Sequence, residues 1–521
     1  MIVIPPRRLE RTFAPRAPDI SVDQNLQAHK LRNRCDDSHC PSSSRMLSFT
    51  YKLPYNLQVC GLSMFLLNYN VAINSYAVIL LERTHAIEFS NHPTIVHATI
   101  VIGLVIGIFI FGFLNSFVLQ VKTSFKLCSL LMIIGGILSI VPGYTSLSAN
   151  ATKLLDFSVA RFIVGLGCGG LFSSISVLFR ENFSRAVGNL KLAFVYGPIG
   201  SLGLIFAPLV ITIFDRTRVV SDDIAWKFAL SIGTIPSALL LIHDVDDESN
   251  DSSMRKSTLM PGHTSDSSTM SLYFNLFCEE FYRNIDNIVF KLYIAGTSMA
   301  CICFDAIFYG NFLLIVRIVD HLFLKTAYNP RSFMGVALMG VNCGFFFWVG
   351  GFISIQGLRR ISALAIQLHG FLLMAGTFLL LAISKVFLHD ERWWPVFMLA
   401  YSLIFLFAGG GPAPMTYLMP SLLFPSNLRT PLNGSVAALG KLGALSGILI
   451  AHFFYTEIST LMFIFSALSL LGAGSTFLLL NARFISKKDS DGYQIIDQIS
   501  DDDQTTLAQA RERREENNVG I

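Results

Sequence analysis

Charge is what this chain has least of. Only 14% of its 521 residues are Asp, Glu, Lys or Arg, against about a quarter in ordinary soluble domains, and that deficit excludes a water-soluble globular protein. Its 39 basic and 35 acidic residues leave a formal charge of +4. The basic residues are scattered over loops and tails and form no basic face, so a nucleic-acid partner is excluded. No Gly-x-x-x-x-Gly-Lys-Ser/Thr run cradles a nucleotide phosphate, and no polar filter-like loop interrupts the apolar runs, which argues against ATP-driven transport and against a channel. The nine cysteines lie mostly inside apolar segments (Cys60, Cys128, Cys168, Cys301, Cys303, Cys343) and make no disulfide framework. Cys35 and Cys40 flank His39 without the second pair a zinc site needs. No metal, cofactor or enzyme activity is expected.

Apolar sequence is abundant instead: 52% of residues are hydrophobic, 44 are Phe, and the mean hydropathy is +0.55. Windows long enough to cross a core of roughly 30 Å fall at Leu57 to Leu81, Thr94 to Phe117, Phe125 to Tyr144, Leu155 to Phe179, Asn189 to Phe214 and Trp226 to Ile242. A second set falls at Ile288 to Val316, Phe333 to Ile355, Leu364 to Phe387, Val396 to Leu418, Leu432 to Phe454 and Ile458 to Leu480. The expected fold is all-α and membrane-embedded, with twelve transmembrane helices in two pseudo-symmetric six-helix bundles. The divisions are a tail over 1–53, a bundle over 54–242, a linker over 243–287, a bundle over 288–482 and an acidic tail over 483–521. An even span count puts both termini on one side, and a modest Lys/Arg excess makes that side cytoplasmic. The plasma membrane is expected, with an endosomal or lysosomal membrane as the alternative.

His243 to Met270 is rich in Asp, Ser and Thr and reads as a disordered linker. Beyond it Leu272, Tyr273, Leu276, Phe277, Phe281 and Ile285 recur at helical spacing, which suits either an amphipathic helix at the membrane surface or an extension of the seventh span. In the N-terminal tail, Pro5, Pro6, Pro15 and Pro18 oppose the helix that a mitochondrial presequence would need, and Met46 is an alternative start. Asn150-Ala151-Thr152 is a glycosylation sequon, and Tyr493 to Ile496 (YQII) has the form of a sorting signal.

Among the spans that carry charge where lipid penalises it, two stand out. In the eleventh, Lys441 stands among Gly440, Gly443 and Ala444; a lone ammonium at bilayer depth costs about 2.5–3.5 kcal/mol on insertion scales, so it faces protein or a watery cavity. In the seventh, Asp305 and Tyr309 lie four residues apart, one helical turn from each other on one face. A buried Asp opposite Lys441 can bind and release a proton as access changes, and Tyr309 offers a hydroxyl to an oxyanion. A fixed Asp305–Lys441 ion pair, or an Asp capping a helix break, is the structural alternative. The halves also echo each other, as transporter repeats do. Arg161 and the glycines after it lead to a turn with Glu181 and Arg185, while Gly409, Gly410 and Gly411 lead to a turn with Arg429. Tight packing of Gly-rich helices would leave a similar trace.

On these residues the chain resembles the major facilitator superfamily, and within it the phosphate:proton symporter branch with its organic-ion and sugar relatives. The matching runs are ARFIVGLGCGG (Ala160 to Gly170), Trp226-Lys227 with Pro236, FDAIFYG (Phe304 to Gly310), IQLHGF (Ile366 to Phe371) and GKLGA (Gly440 to Ala444). The resemblance implies that Asp305, Tyr309, Lys441, Tyr69 and Asn70 line the substrate or proton pathway, and that Arg161, Glu181, Arg185 and Arg429 are gating or structural. It also marks departures. Asn70 and Leu67 stand where the symporters have helix-one Asp residues, and Leu171 and Phe172 where they have Asp-Tyr. Pro198, Cys301 and Ala413 replace Gln, Trp and Asn, and Leu422 replaces a Glu. A phosphate ion must exchange strong hydration for several donors, so these losses make the pocket more apolar and favour a partly organic solute.

The sequence therefore points to a monomeric secondary transporter in the lipid bilayer that moves a small solute by alternating access, with or without coupling to protons. Phosphate or another anion leads, an organic cation bound by Asp305 is the runner-up, and a non-transporting receptor or scaffold is the alternative of another class.

Overall fold

In a bilayer every backbone N–H and C=O must find its partner within the protein, which leaves helices and closed barrels as spanning structures. The computed structural model describes residues 55–84, 93–140, 151–182, 185–217, 221–242, 267–313, 315, 330–384, 394–425 and 428–483. Among these, twelve helices are long and apolar enough to cross a membrane, here called spans 1 to 12: Asn56–Leu81, Thr94–Phe117, Val121–Ile140, Leu154–Phe179, Asn189–Phe214, Ile224–Ile242, Ile288–Leu313, Gly335–Leu358, Ala363–Ile383, Pro395–Leu423, Arg429–Phe454 and Ile458–Arg483. Large apolar side chains such as Ile235, Leu380 and Phe453 point outward, each about two-thirds exposed or more (67%, 68% and 72%), as a lipid-facing surface requires.

Several boundaries differ from the hydropathy windows, each for a local reason. Span 3 begins at Val121 and takes Lys122 and Lys126 into its first turns, because a helix tolerates charge at its end where an apolar window does not. Span 9 stops at Ile383, where Ser384 leaves helical geometry. Span 10 is not one helix: Trp394–Gly410 and Pro412–Leu423 are separated at Gly411. The N-terminal tail with Cys35, His39, Cys40 and Met46, the sequon at Asn150, the stretch 243–266 and the YQII run all lie outside the described residues.

Packing follows the expected repeat. Span 4 packs on spans 2 and 3, span 6 on spans 3 and 1, and span 1 on span 5; in the second half span 11 packs on span 7, and span 10 on spans 8 and 9. The halves meet chiefly where span 2 touches span 11 and where span 5 touches span 8. A rotation that exchanges 2 with 8 and 5 with 11 maps one of those contacts onto the other. Glycine makes the same seam in each half. A Cβ on Gly103 or Gly107 would strike the backbone of span 4 at Phe162 or Leu166, and one on Gly350 would strike span 10 at Leu406, so only glycine permits these approaches.

The linker ends in a helix, Ser267–Ile285, rather than in an extension of span 7, which starts anew at Ile288. Its aromatic residues join the two halves through a chain of rings. Phe274 lies 6.3 Å from Phe113 and 6.0 Å from Phe117 of span 2, and Phe277 lies 5.8 Å from Phe117. Phe281 stacks on Phe277 at 6.1 Å and meets Phe290 of span 7 at 6.1 Å, while Phe290 meets Phe424 at 6.2 Å. Phe277, Phe281 and Ile285 border a buried cluster that includes Leu428, Leu432 and Val436. Since truncating a well-packed Phe costs about 3–5 kcal/mol and a half-buried one less, Phe281→Ala should loosen the helix by about 2 kcal/mol. In a chain with Cys35 and Cys40 replaced by Ser, the half-buried Cys278 should then react with maleimide at least tenfold faster, and an unchanged rate would place the anchorage on Phe274 and Phe277 alone.

Candidate functional site

The one buried ion pair among the described residues joins spans 7 and 11. Close approach of the two helices sets it up: a Cβ on Gly443 or Gly447 would run into the backbone of span 7 at Ile302 or Ala306, and a Cβ on Gly440 would sit 2.7 Å from Asp305 Oδ2. With glycine at all three positions, Lys441 reaches across to Asp305, and the two side chains are 3% and 0% exposed. Lys441 Nζ donates to Asp305 Oδ1 at 3.1 Å and to the Tyr417 hydroxyl at 2.8 Å, and the Tyr417 hydroxyl in turn donates to Asp305 Oδ1 at 2.6 Å. The three groups close a triangle that leaves Asp305 Oδ2 buried without a hydrogen-bond partner.

Aromatic faces surround the ammonium. Nζ lies 4.5 Å from the Tyr309 ring centre, 5.1 Å from Tyr417 and 5.8 Å from Phe172, distances at which each ring's negative face attracts a cation. Tyr417 is delivered by the break in span 10. Pro412 opens the short helix at its first positions, where its missing N–H and fixed φ cost nothing, and Gly411 lies against Gly370 of span 9, too close for any side chain. Tyr196 is delivered by an irregularity in span 5, a π-helical turn Val195–Ile199 that contains Pro198. Such turns often mark functional sites. The Tyr196 and Tyr417 rings lie 5.6 Å apart, and Phe172 of span 4 lies 5.2 Å from the first and 5.0 Å from the second.

These groups enclose a cavity of about 30 Å³ between the halves, room for roughly two waters. Spans 1, 4 and 5 contribute Met64, Leu67, Asn68, Phe172, Tyr196 and Leu204, and the second half contributes Phe304, Asp305, Phe308, Tyr309, Phe347, Ala413, Tyr417 and Lys441. Asp305, Tyr309 and Lys441 thus come together as the sequence implies. Tyr69 and Asn70 face elsewhere. The Tyr69 hydroxyl donates to Ala229 O at 2.8 Å, and the Asn70 amide donates to Leu66 O at 2.9 Å and Gly233 O at 3.0 Å, so both tie span 1 to span 6. The cavity instead takes Met64, Leu67 and Asn68 from span 1.

Arg161 is fully buried and ties span 4 to span 3, with Nε and Nη2 donating to Ser139 Oγ at 3.0 and 2.8 Å. Its Nη1 has no partner among the described residues. Arg429 donates through Nε and Nη2 to Phe424 O at 3.3 and 3.1 Å, closing the turn between spans 10 and 11. Glu181 and Arg185 lie on described backbone, in the helices Ala151–Asn182 and Arg185–Phe194, but their side chains lie outside the described residues. Tyr417 and Tyr196 were not singled out by sequence; the signal for both was proline inside an apolar span.

Comparison with known proteins agrees with this architecture. A family profile described as "Sugar (and other) transporter" matches residues 57–245. Inorganic phosphate transporter 1-6 of Oryza sativa subsp. japonica is 25% identical over 450 residues, covering 75% of this chain and 80% of that protein. Inorganic phosphate transporter PT2 of Toxoplasma gondii is 22% identical over 405 residues, covering 75% of this chain and 66% of that protein. That profile covers the first six spans, and the two relatives are similar along three quarters of the chain. The chain has the fold of the major facilitator superfamily proton:xylose symporter XylE bound to 6-bromo-6-deoxy-D-glucose, which superposes with a TM-score of 0.60 at 15% identity over 80% of this chain and 94% of the other. A partially occluded inward-open form of XylE from E. coli gives a TM-score of 0.57 at 16% identity over 80% and 96%. With this fold and twelve helices long and apolar enough to cross a membrane, the chain has the architecture of an integral multi-pass membrane protein.

Proposed function

We propose that this chain is a secondary transporter that moves phosphate or another small anion by alternating access, coupled to protons, with its site at the cavity between the two six-span halves. The observation that carries the reading is the Asp305–Tyr417–Lys441 triangle: a buried cation, held by a buried carboxylate, at a cavity with walls from both halves. A cation in that position attracts an anion only to the extent that Asp305 lets go of it. A proton arriving on Asp305 cancels the carboxylate's hold, because the neutral acid attracts an ammonium far less, and frees Lys441 for the solute. Proton and anion are then bound together or not at all. The relatives named as inorganic phosphate transporters support an anion. The organic-cation reading has less support, since Lys441 already occupies Asp305 at 3.1 Å.

In this scheme Tyr309 and Tyr417 are solute contacts, Arg429 and the Glu181–Arg185 turn are gating elements, the tails and the 243–287 linker are cytoplasmic, and the protein works as a monomer, most naturally in the plasma membrane. Purified full-length protein in vesicles should accumulate a labelled anion from a panel containing phosphate, sulfate and organic acids, and an inward acid gradient should raise the plateau at least severalfold. Protein that binds and moves none of the panel, with or without the gradient, would favour a receptor or scaffold.

A further inference from the structure

We propose that the preferred solute is a monovalent organic anion with a flat unsaturated body, such as an aromatic carboxylate, and that inorganic phosphate is the poorer ligand. This deepens the function proposed above and rests on it.

Three observations carry the inference. The first is the charge count: one ammonium and one carboxylate line the cavity, paired at 3.1 Å. A proton on Asp305 leaves a single positive charge, which a monoanion balances and a dianion overshoots.

The second is the shortage of free donors. Asn68 gives one of its two amide N–H groups to Gly200 O at 3.0 Å, and the Tyr196 hydroxyl shares a hydrogen bond with Ser176 Oγ at 2.9 Å. Lys441, Tyr417, Tyr309 and the second Asn68 N–H remain for the solute. Phosphate carries four strongly hydrated oxygens and would leave some of its hydration unreplaced. A solute carboxylate needs less. Asp305 Oδ1 already shows a carboxylate oxygen accepting from Lys441 Nζ and the Tyr417 hydroxyl, so exchanging that carboxylate for the solute's requires no new donor. The proton has an oxygen to take, because Asp305 Oδ2 is unpartnered. One proton and one monoanion enter together, and the site's net charge returns to zero.

The third is the wall. Phe172, Tyr196 and Tyr417 form a triangle of rings with centres 5.0–5.6 Å apart, and Phe308 lies 5.3 Å from Phe347 across the second half. Offset and edge-to-face ring contacts are worth about 0.5–1.5 kcal/mol each beyond burial, and they reward a flat π body over a saturated one of equal size. The cavity is closed down in this state, and the rings must part for either kind of solute.

The test uses the full-length protein and three probes: benzoate, cyclohexanecarboxylate and inorganic phosphate. Binding is read from the shift in melting temperature, which avoids the leak of undissociated acids through lipid, and uptake is read with labelled nicotinate against protein-free vesicles. Benzoate should half-saturate the shift at a concentration at least tenfold below that of phosphate and severalfold below that of cyclohexanecarboxylate. Phe172→Leu should abolish the preference for benzoate over cyclohexanecarboxylate while both still bind. Phosphate binding tighter than benzoate, with gradient-driven phosphate uptake, would overturn this inference and leave the proposed function standing. Equal binding of benzoate and cyclohexanecarboxylate would remove the role of the rings. No binding and no uptake of any probe would sink the proposed function itself.

Discussion

Lys441→Gln is expected to abolish solute uptake and to lower the protein's stability by about 3–5 kcal/mol, the cost of leaving one member of a buried ion pair behind. The loss has two parts that a second substitution separates. Asp305 would be stranded as a carboxylate in a site with no other cation among its lining residues, which is the destabilising part. Adding Asp305→Asn removes the stranded charge, so the double variant should regain most of the lost stability. It should not regain uptake, because nothing in the cavity then attracts an anion. Lys441→Arg should restore uptake only in part, since a planar guanidinium cannot occupy the compact place between Tyr309, Tyr417 and Phe172 that a point ammonium fills. Melting temperature and uptake measured on the four proteins decide the matter: normal anion uptake by Lys441→Gln would reduce Lys441 to packing.

Asp305→Asn alone should separate accumulation from exchange. The amide keeps the size of the side chain and can still accept a bond from Lys441, but it cannot carry a proton in and out. Accumulation driven by an acid gradient should fall to the level set by passive equilibration, while one-for-one exchange of solute across the membrane survives. Anion binding should tighten rather than weaken, because the ammonium no longer has a built-in competitor. If the solute were an organic cation, the same substitution would remove its counter-charge and binding would vanish. The ligand-induced rise in melting temperature distinguishes the two, since a ligand that still binds the folded protein still stabilises it. Undiminished gradient-driven accumulation would exclude Asp305 from proton coupling.

Charge in an apolar run is a loud signal, which is why Asp305 and Lys441 were legible in sequence and why their spans could be matched. Other parts were quieter. Tyr417 and Tyr196 look like any other tyrosine in an apolar helix; what sets them apart is the breaks at Gly411-Pro412 and Pro198, and a break signals irregularity without saying which side chain it turns inward. Tyr69 and Asn70 show the opposite case. Met64, Leu67 and Asn68 share a face by the three-and-four rule, and Tyr69 and Asn70 lie roughly 100° and 200° further round. Span 1 is apolar on every side, so nothing in its pattern tells which face meets span 6. The linker helix was legible as amphipathic because Phe277, Phe281 and Ile285 keep a helical period. Its docking on span 2 was not, because the partner rings Phe113 and Phe117 lie far away in the chain.

The 3.1 Å separation of Lys441 and Asp305 also bears on voltage. A membrane potential does work on net charge, about 2.3 kcal/mol per elementary charge per 100 mV, and a lone ammonium carried through the field would feel all of it. A pair this close is a short dipole, and the work done on one member nearly cancels the work done on the other. In the proposed cycle the locked pair therefore moves with almost no electrical cost, so Lys441 and Asp305 should add next to nothing to any voltage dependence of the unloaded protein.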